Sequence, residues 1–151
     1  MRGTGKQNEN SLRMPRWVAI LAGCASEPTP ATTAKAAPSN RLLAFQDSNA
    51  EHAGTLVVTR DTGFGGSGCF YAVSINGTLA ARLDVGETSR FFVSPGEALL
   101  RVGRDPQGRG LCAFAKSEWT QRETVLRPDE TKYFRLSIDA NGKTDVERGE
   151  R

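Results

Sequence analysis

The chain has 151 residues, of which 38% are hydrophobic and 25% charged, so it holds one domain with enough apolar side chains for a core. The formal net charge of +3 is local: Arg2, Lys6, Arg13 and Arg16 face only Glu9 before Cys24, and from Cys24 onward sixteen Lys/Arg balance sixteen Asp/Glu. A grip on phosphates needs a basic stripe, and interspersed, balanced charges supply none, so no nucleic-acid partner is expected.

Residues 1–23 read as a secretory signal, with a basic start and the apolar run Trp17-Val18-Ala19-Ile20-Leu21-Ala22. The run is far shorter than the roughly 20 apolar residues of a membrane-spanning helix. Its end, Leu21-Ala22-Gly23-Cys24, resembles the lipobox of bacterial lipoproteins, in which small residues let a signal peptidase act just before a lipid-bearing cysteine. That resemblance implies cleavage after Gly23, acylation of Cys24 and a place in the bacterial cell envelope. Ala25 rather than Asp after the cysteine implies, by the same resemblance, the outer membrane facing the periplasm. Each buried acyl methylene contributes about 0.8 kcal/mol, so a multiply acylated cysteine anchors a protein without any spanning helix. The competing reading is a soluble β-domain whose first fifty residues are a disordered tail.

Residues 24–50 form the lipidated cysteine and a flexible tether, because the Pro/Ala/Thr-rich stretch from Glu27 to Pro38 offers little apolar surface to bury. Arg41 to Ala50 reads as a short lead-in packing against the domain. The β-domain proper then covers residues 51–151.

Alternation begins at Thr55 to Arg60, with Leu56 and Val58 on one face, and continues in Cys69 to Ile75, with Cys69, Tyr71, Val73 and Ile75 inward. Asn76-Gly77 suits a two-residue hairpin turn, so Thr78 to Val85, with Leu79, Ala81, Leu83 and Val85 aligned, pairs antiparallel with the preceding strand. Glu87 to Val93 and Glu97 to Val102, joined by Pro95-Gly96, read as a second hairpin. Leu111 to Ala115, Thr120 to Leu126 and Thr131 to Asp139 follow, and Asn141-Gly142 introduces a last hairpin into Lys143 to Glu147. Short strands with a turn signal about every ten residues predict an all-β, antiparallel sandwich of seven or eight strands.

Three cysteines are an odd number for an oxidising compartment, and lipidation of Cys24 leaves Cys69 and Cys112. These two either form a disulfide or pack as two buried free thiols.

From Thr55 onward the pattern resembles a family of uncharacterised domains found in small bacterial lipoproteins. The resemblance rests on Thr55 to Arg60, Ser74-Ile75-Asn76-Gly77, Leu79 to Leu83, Ser94-Pro95-Gly96-Glu97 and Tyr133-Phe134-Arg135-Leu136, about two thirds of the chain. These motifs are mostly turn chemistry, so they imply a fold rather than an activity. Cys69 and Cys112 are not part of that pattern.

Asp61 to Gly68 is glycine-rich but lacks the Gly-Lys-Ser/Thr ending of a phosphate cradle, and reads as a long loop with Phe64 at its tip. Arg104 to Arg109 forms a second loop whose Arg104 and Arg109 suit an anionic group. With Glu118 and Trp119, these loops make the candidate binding surface. No catalytic set is discernible: the only histidine, His52, lies near the tether, and one His with two separated Cys does not make a common zinc site. Neither cofactor nor metal is expected. The functional expectation is a lipid-anchored, non-catalytic binding or envelope-structure module that meets an envelope protein through strand edges or the two loops. The alternative is an accessory or enzyme subunit whose site forms only with a partner.

Overall fold

The computed structural model describes Met1, residues 25–113 and residues 118–151. The expected signal segment, Cys24, and Phe114-Ala115 at the end of an expected strand lie outside the described residues.

Nine strands are seen among the described residues: β1 (Lys35–Ala36), β2 (Gly54–Arg60), β3 (Tyr71–Ile75), β4 (Thr78–Leu83), β5 (Glu87–Val93), β6 (Gly96–Arg104), β7 (Thr120–Leu126), β8 (Thr131–Ile138) and β9 (Thr144–Arg148). They form a five-stranded sheet, ordered β1-β5-β2-β8-β9, and a four-stranded sheet, ordered β4-β3-β6-β7. The all-β sandwich predicted by the alternation is therefore present. Most pairs are antiparallel, while β2 runs parallel to β8 and β1 parallel to β5.

The core lies between the sheets. Leu56, Val58, Phe91, Phe134, Leu136 and Val146 of the first sheet meet Tyr71, Val73, Ile75, Leu83, Leu100 and Val102 of the second, all 2% exposed or less. Each such side chain contributes about 1.5–3 kcal/mol on full burial, which makes this interdigitated layer the dominant favourable term.

The turns show which local signals were decisive. Asn76 and Gly77 have φ of 49° and 82°, and Ile75 pairs with Thr78 across them, as the Asn-Gly signal predicted. Asn141-Gly142 likewise sits in the loop between the paired β8 and β9. Pro95-Gly96 does not make a hairpin. Gly96, at φ 120°, carries the chain from one sheet into the other, so β5 pairs with β2 while β6 pairs with β3 and β7. The alternation expected in Thr78 to Val85 is broken by a bulge opposite Val73/Ser74, which leaves both Ala80 and Ala81 buried, and Val85 lies beyond the strand. Cys69 is half-buried in the loop before β3 rather than inside the core. Gly110–Cys112 is a 3-10 turn, where a strand had been expected.

The largest departure concerns residues 25–46, expected as a flexible tether. They form a strap on the sandwich. Glu27 and Thr62 exchange backbone hydrogen bonds of 2.7 and 3.2 Å, Lys35 and Ala37 donate to Gly86 and Thr88 of the β5 side, and Leu43 and Ala44 both donate to the Ala80 carbonyl of β4. The strap is thus held mainly by backbone groups on the open edges of both sheets, a source of order that side-chain hydrophobicity does not report. Ala37, Leu42 and Phe45 add apolar contacts with the core, the last two as the expected lead-in.

The opposite seam is closed by side chains. Thr120 Oγ1 and Arg122 Nε of β7 donate to the outward carbonyls of Thr144 and Val146 on β9, at 2.6 Å each. Lys132 Nζ donates to the Val125 carbonyl of β7. Strand edges, one of the two expected docking routes, are therefore largely covered among the described residues.

Candidate functional site

The C-terminal ends of β2 and β8 share one end of the sandwich because the two strands are parallel, with Arg60 opposite Leu136. The end of β6 and the start of β3 meet there too, since Tyr71 pairs with Arg104. This end collects the glycine loop 61–70 and the loop that follows β6. A disulfide between Cys69 and Cys112, with Cα atoms 5.5 Å apart, joins the two loops. Of the two readings left open by the sequence, the bridge is the one observed.

Beneath the loops, Arg60 is 1% exposed. It continues the inward face of Leu56 and Val58, and its guanidinium donates to the carbonyls of Cys69 (2.7 Å), Leu83 (3.0 Å) and Gly66 (2.8 Å) while lying 4.4 Å from the Tyr71 ring centroid. Burial lowers its pKa to about 10, which leaves it a cation at neutral pH. Arg60 is therefore an internal strut that ties the glycine loop and β4 to the core, and the disulfide carries that hold on to the loop after β6. The period-two pattern Leu56-Val58-Arg60 was the signal that could have revealed it.

Asp61 turns to the other face of the sheet, where its fully buried carboxylate meets Arg135 at 2.5 Å. The same carboxylate accepts the Thr29 amide at 3.1 Å and the Ser26 hydroxyl at 3.5 Å. Ser26 in turn exchanges hydrogen bonds of 2.8 Å with the Ile138 backbone. The hydrogen bond that Arg135 donates to Asp61 raises the Arg135 pKa above its ordinary value. The start of the strap is thereby pinned to this end of the molecule.

The residues expected to form a binding surface are distributed as follows. Phe64 projects from the glycine loop and is 88% exposed. Arg109 is exposed and lines a cleft of about 370 Å³ with Arg41, Phe70, Arg82, Asp105 and Cys112. Arg104 is partly exposed at the end of β6. Glu118 is exposed, whereas Trp119 is half-buried over Gly103, with the Arg101 guanidinium 5.2 Å from its ring centroid. Trp119 thus covers the outer face of the second sheet.

Sequence reasoning missed Leu111, which is 87% exposed beside the disulfide, and two of the cleft's three arginines, Arg41 and Arg82. Arg41 pairs with Glu87 at 2.5 Å and Arg82 with Asp105 at 3.1 Å, so most of the cleft's positive charge is already balanced. A groove of about 550 Å³ at the other end is lined by Asn76, Glu97, Glu123 and Lys132. The lysine there is held by Val125, Thr124 and Glu130. His52 lies exposed, 3.5 Å from Asp129. Among the described residues no three His, Cys, Asp or Glu are grouped to hold a metal, and no helix is long and apolar enough to cross a membrane.

Profiles of known protein families give no match to the chain, and no curated protein matches it either.

Proposed function

We propose that the protein is a lipid-anchored component of the bacterial cell envelope, in which acyl chains on Cys24 hold a non-catalytic β-sandwich at a membrane surface. The observation that carries this reading is the sequence Leu21-Ala22-Gly23-Cys24 at the end of a short apolar run, placed immediately before the pinned start of the strap. The Cys69–Cys112 bridge supports it, because structural disulfides persist in oxidising compartments and are rare in the cytosol. The outer membrane, facing the periplasm, is the proposed location, from Ala25 in the position after the cysteine. The sandwich would serve as a rigid platform whose loops, rather than its covered edges, meet a partner in the envelope.

Expression in a Gram-negative host with a radiolabelled fatty acid tests the proposal. Label on the protein in the membrane fraction, lost in Cys24→Ser, is the expected result. Unlabelled protein in the soluble fraction would overturn it in favour of a soluble β-domain.

A further inference from the structure

We infer that the disulfide-bridged end of the sandwich is a membrane-contact face, on which Phe64 and Leu111 enter the interfacial layer of the bilayer beside the acyl chains of Cys24. The inference rests on the lipid-anchor reading and adds to it an orientation and a lipid-contacting surface.

The first observation is where the described chain begins. A Cβ added to Gly63 would lie 2.9 Å from the Ser26 Cα and 3.2 Å from the Ala25 carbonyl oxygen, so Ala25 abuts the residue preceding Phe64. Cys24 is one peptide farther, a Cα separation of about 3.8 Å. The glycine loop is therefore the part of the folded domain that an acyl group on Cys24 brings to the membrane.

The second observation is what that end exposes. Phe64 and Leu111 are 88% and 87% exposed, and Phe70, next to Cys69, is 40% exposed. Their loops are cross-linked by the disulfide, so the two large side chains are presented on a braced platform rather than on independent loops. Exposed apolar side chains at one end of a small domain suit a surface that meets a partner or a membrane, and a lipid on the adjacent Cys24 selects the membrane. Of the other exposed large apolar residues among those described in the folded domain, Leu43, at 44%, lies on the strap beside Ala80, and Val125, at 57%, lies next to Leu126 at the far end of β7, opposite Glu97 of β6.

The third observation is the absence of slack between the anchor and this platform. Ser26 is bonded to Ile138 in both directions, Glu27 is paired with Thr62, and Thr29 is held by Asp61. A pinned start of this kind transmits the position of the acylated residue to the whole domain, whereas a flexible tether would let it tumble. With this end down, β2 and β8 stand away from the bilayer, and the eight residues of β8 place the far end about 26 Å higher.

Two of the three arginines of the nearby cleft, Arg41 and Arg82, are paired with Glu87 and Asp105, so apolar contact rather than attraction to anionic headgroups would dominate. Arg109, free of a charged partner among the described residues, adds at most a small salt-dependent component.

The test uses the mature acylated protein, purified from membranes and reconstituted in phosphatidylethanolamine/phosphatidylglycerol vesicles containing lipids brominated near the headgroup end of the acyl chain. Phe64→Trp and Val125→Trp are compared, each in a Trp119→Phe background so that a single tryptophan reports. The inference expects Trp at position 64 to be quenched severalfold more than Trp at position 125, and Leu111→Ser to reduce that quenching. Equal, weak quenching at both positions in protein whose mass shows acylation would overturn the membrane-contact face and leave the anchor intact. Protein recovered without acyl groups would overturn the anchor, and this inference with it.

Discussion

Replacing Arg135 with Met removes the cation from a carboxylate that has almost no solvent to turn to. Asp61 is fully buried at its side chain and would keep only the Thr29 amide at 3.1 Å and the Ser26 hydroxyl at 3.5 Å. Removing one partner of a buried ion pair costs about 3–5 kcal/mol, because the remaining charge is stranded. Arg135 is 22% exposed, so water relieves part of that cost and the low end, about 3 kcal/mol, applies. For a domain of this size the loss corresponds to a fall in Tm of about 10 °C. In urea it corresponds to a midpoint lower by about 2 M at a slope near 1.5 kcal/mol/M. Asp61→Asn/Arg135→Met removes the stranded charge and should recover part of the loss, so equilibrium urea unfolding of the two single variants and the double variant forms a double-mutant cycle. A cost below about 1 kcal/mol for Arg135→Met, or strict additivity in the cycle, would refute the claim that this pair pins the strap to the sandwich.

Three further outcomes follow from the geometry. Cys69→Ala/Cys112→Ala releases a cross-link between residues 43 apart in sequence and is expected to lose about 4 kcal/mol in the chain-entropy account, read as the difference in urea midpoint from the oxidised protein. Gly66→Ala places a methyl 2.8 Å from the Tyr71 ring at a φ of +68°, and is expected to destabilise by about 2–4 kcal/mol in thermal unfolding, whereas Gly77→Ala, with open space around it, should cost about 1–2 kcal/mol. Hydrogen exchange should find the amides of Lys35, Ala37 and Leu43 protected in the native protein, since each donates to a sheet edge, and Ala37→Pro should abolish protection around it while the core remains protected.

The parts of the fold legible in the sequence were those set by short-range chemistry. Alternation in Tyr71-Val73-Ile75 and in Phe134-Leu136-Ile138 gave the inward faces, and Asn76-Gly77 gave a hairpin because two adjacent positive φ angles have few other uses. Pro95-Gly96 shows the boundary of that logic. Its chemistry reverses the chain, but whether the next strand stays in the same sheet depends on distant partners, here Tyr71 to Ile75 and Thr120 to Leu126. The strap escaped notice because its order comes from backbone donors reaching the edges of β4 and β5, and a Pro/Ala/Thr composition records nothing of an unpaired edge elsewhere.

The site divides in the same way. Phe64 and Arg109 were recognisable as loop residues, and the Cys69–Cys112 pairing was one of two readings that cysteine counting allowed. Leu111 was assigned to a strand and so was not recognised as exposed, and the role of Asp61 required knowing that Arg135, 74 residues away, sits beside it. Trp119, grouped with the binding loops as a residue on loops held by a rigid sandwich, packs its ring over Gly103, a neighbour that the pairing of β6 and not local sequence brings to it.

The central claim, that this sandwich is held on a membrane by Cys24, is tested most directly by the intact mass of the protein recovered from bacterial membranes, compared with Cys24→Ser under reducing and non-reducing conditions. The account predicts a chain beginning at Cys24 that carries acyl groups, lost in the variant, with a deficit of two protons that disappears on reduction. A full-length, unacylated chain in the soluble fraction would contradict it.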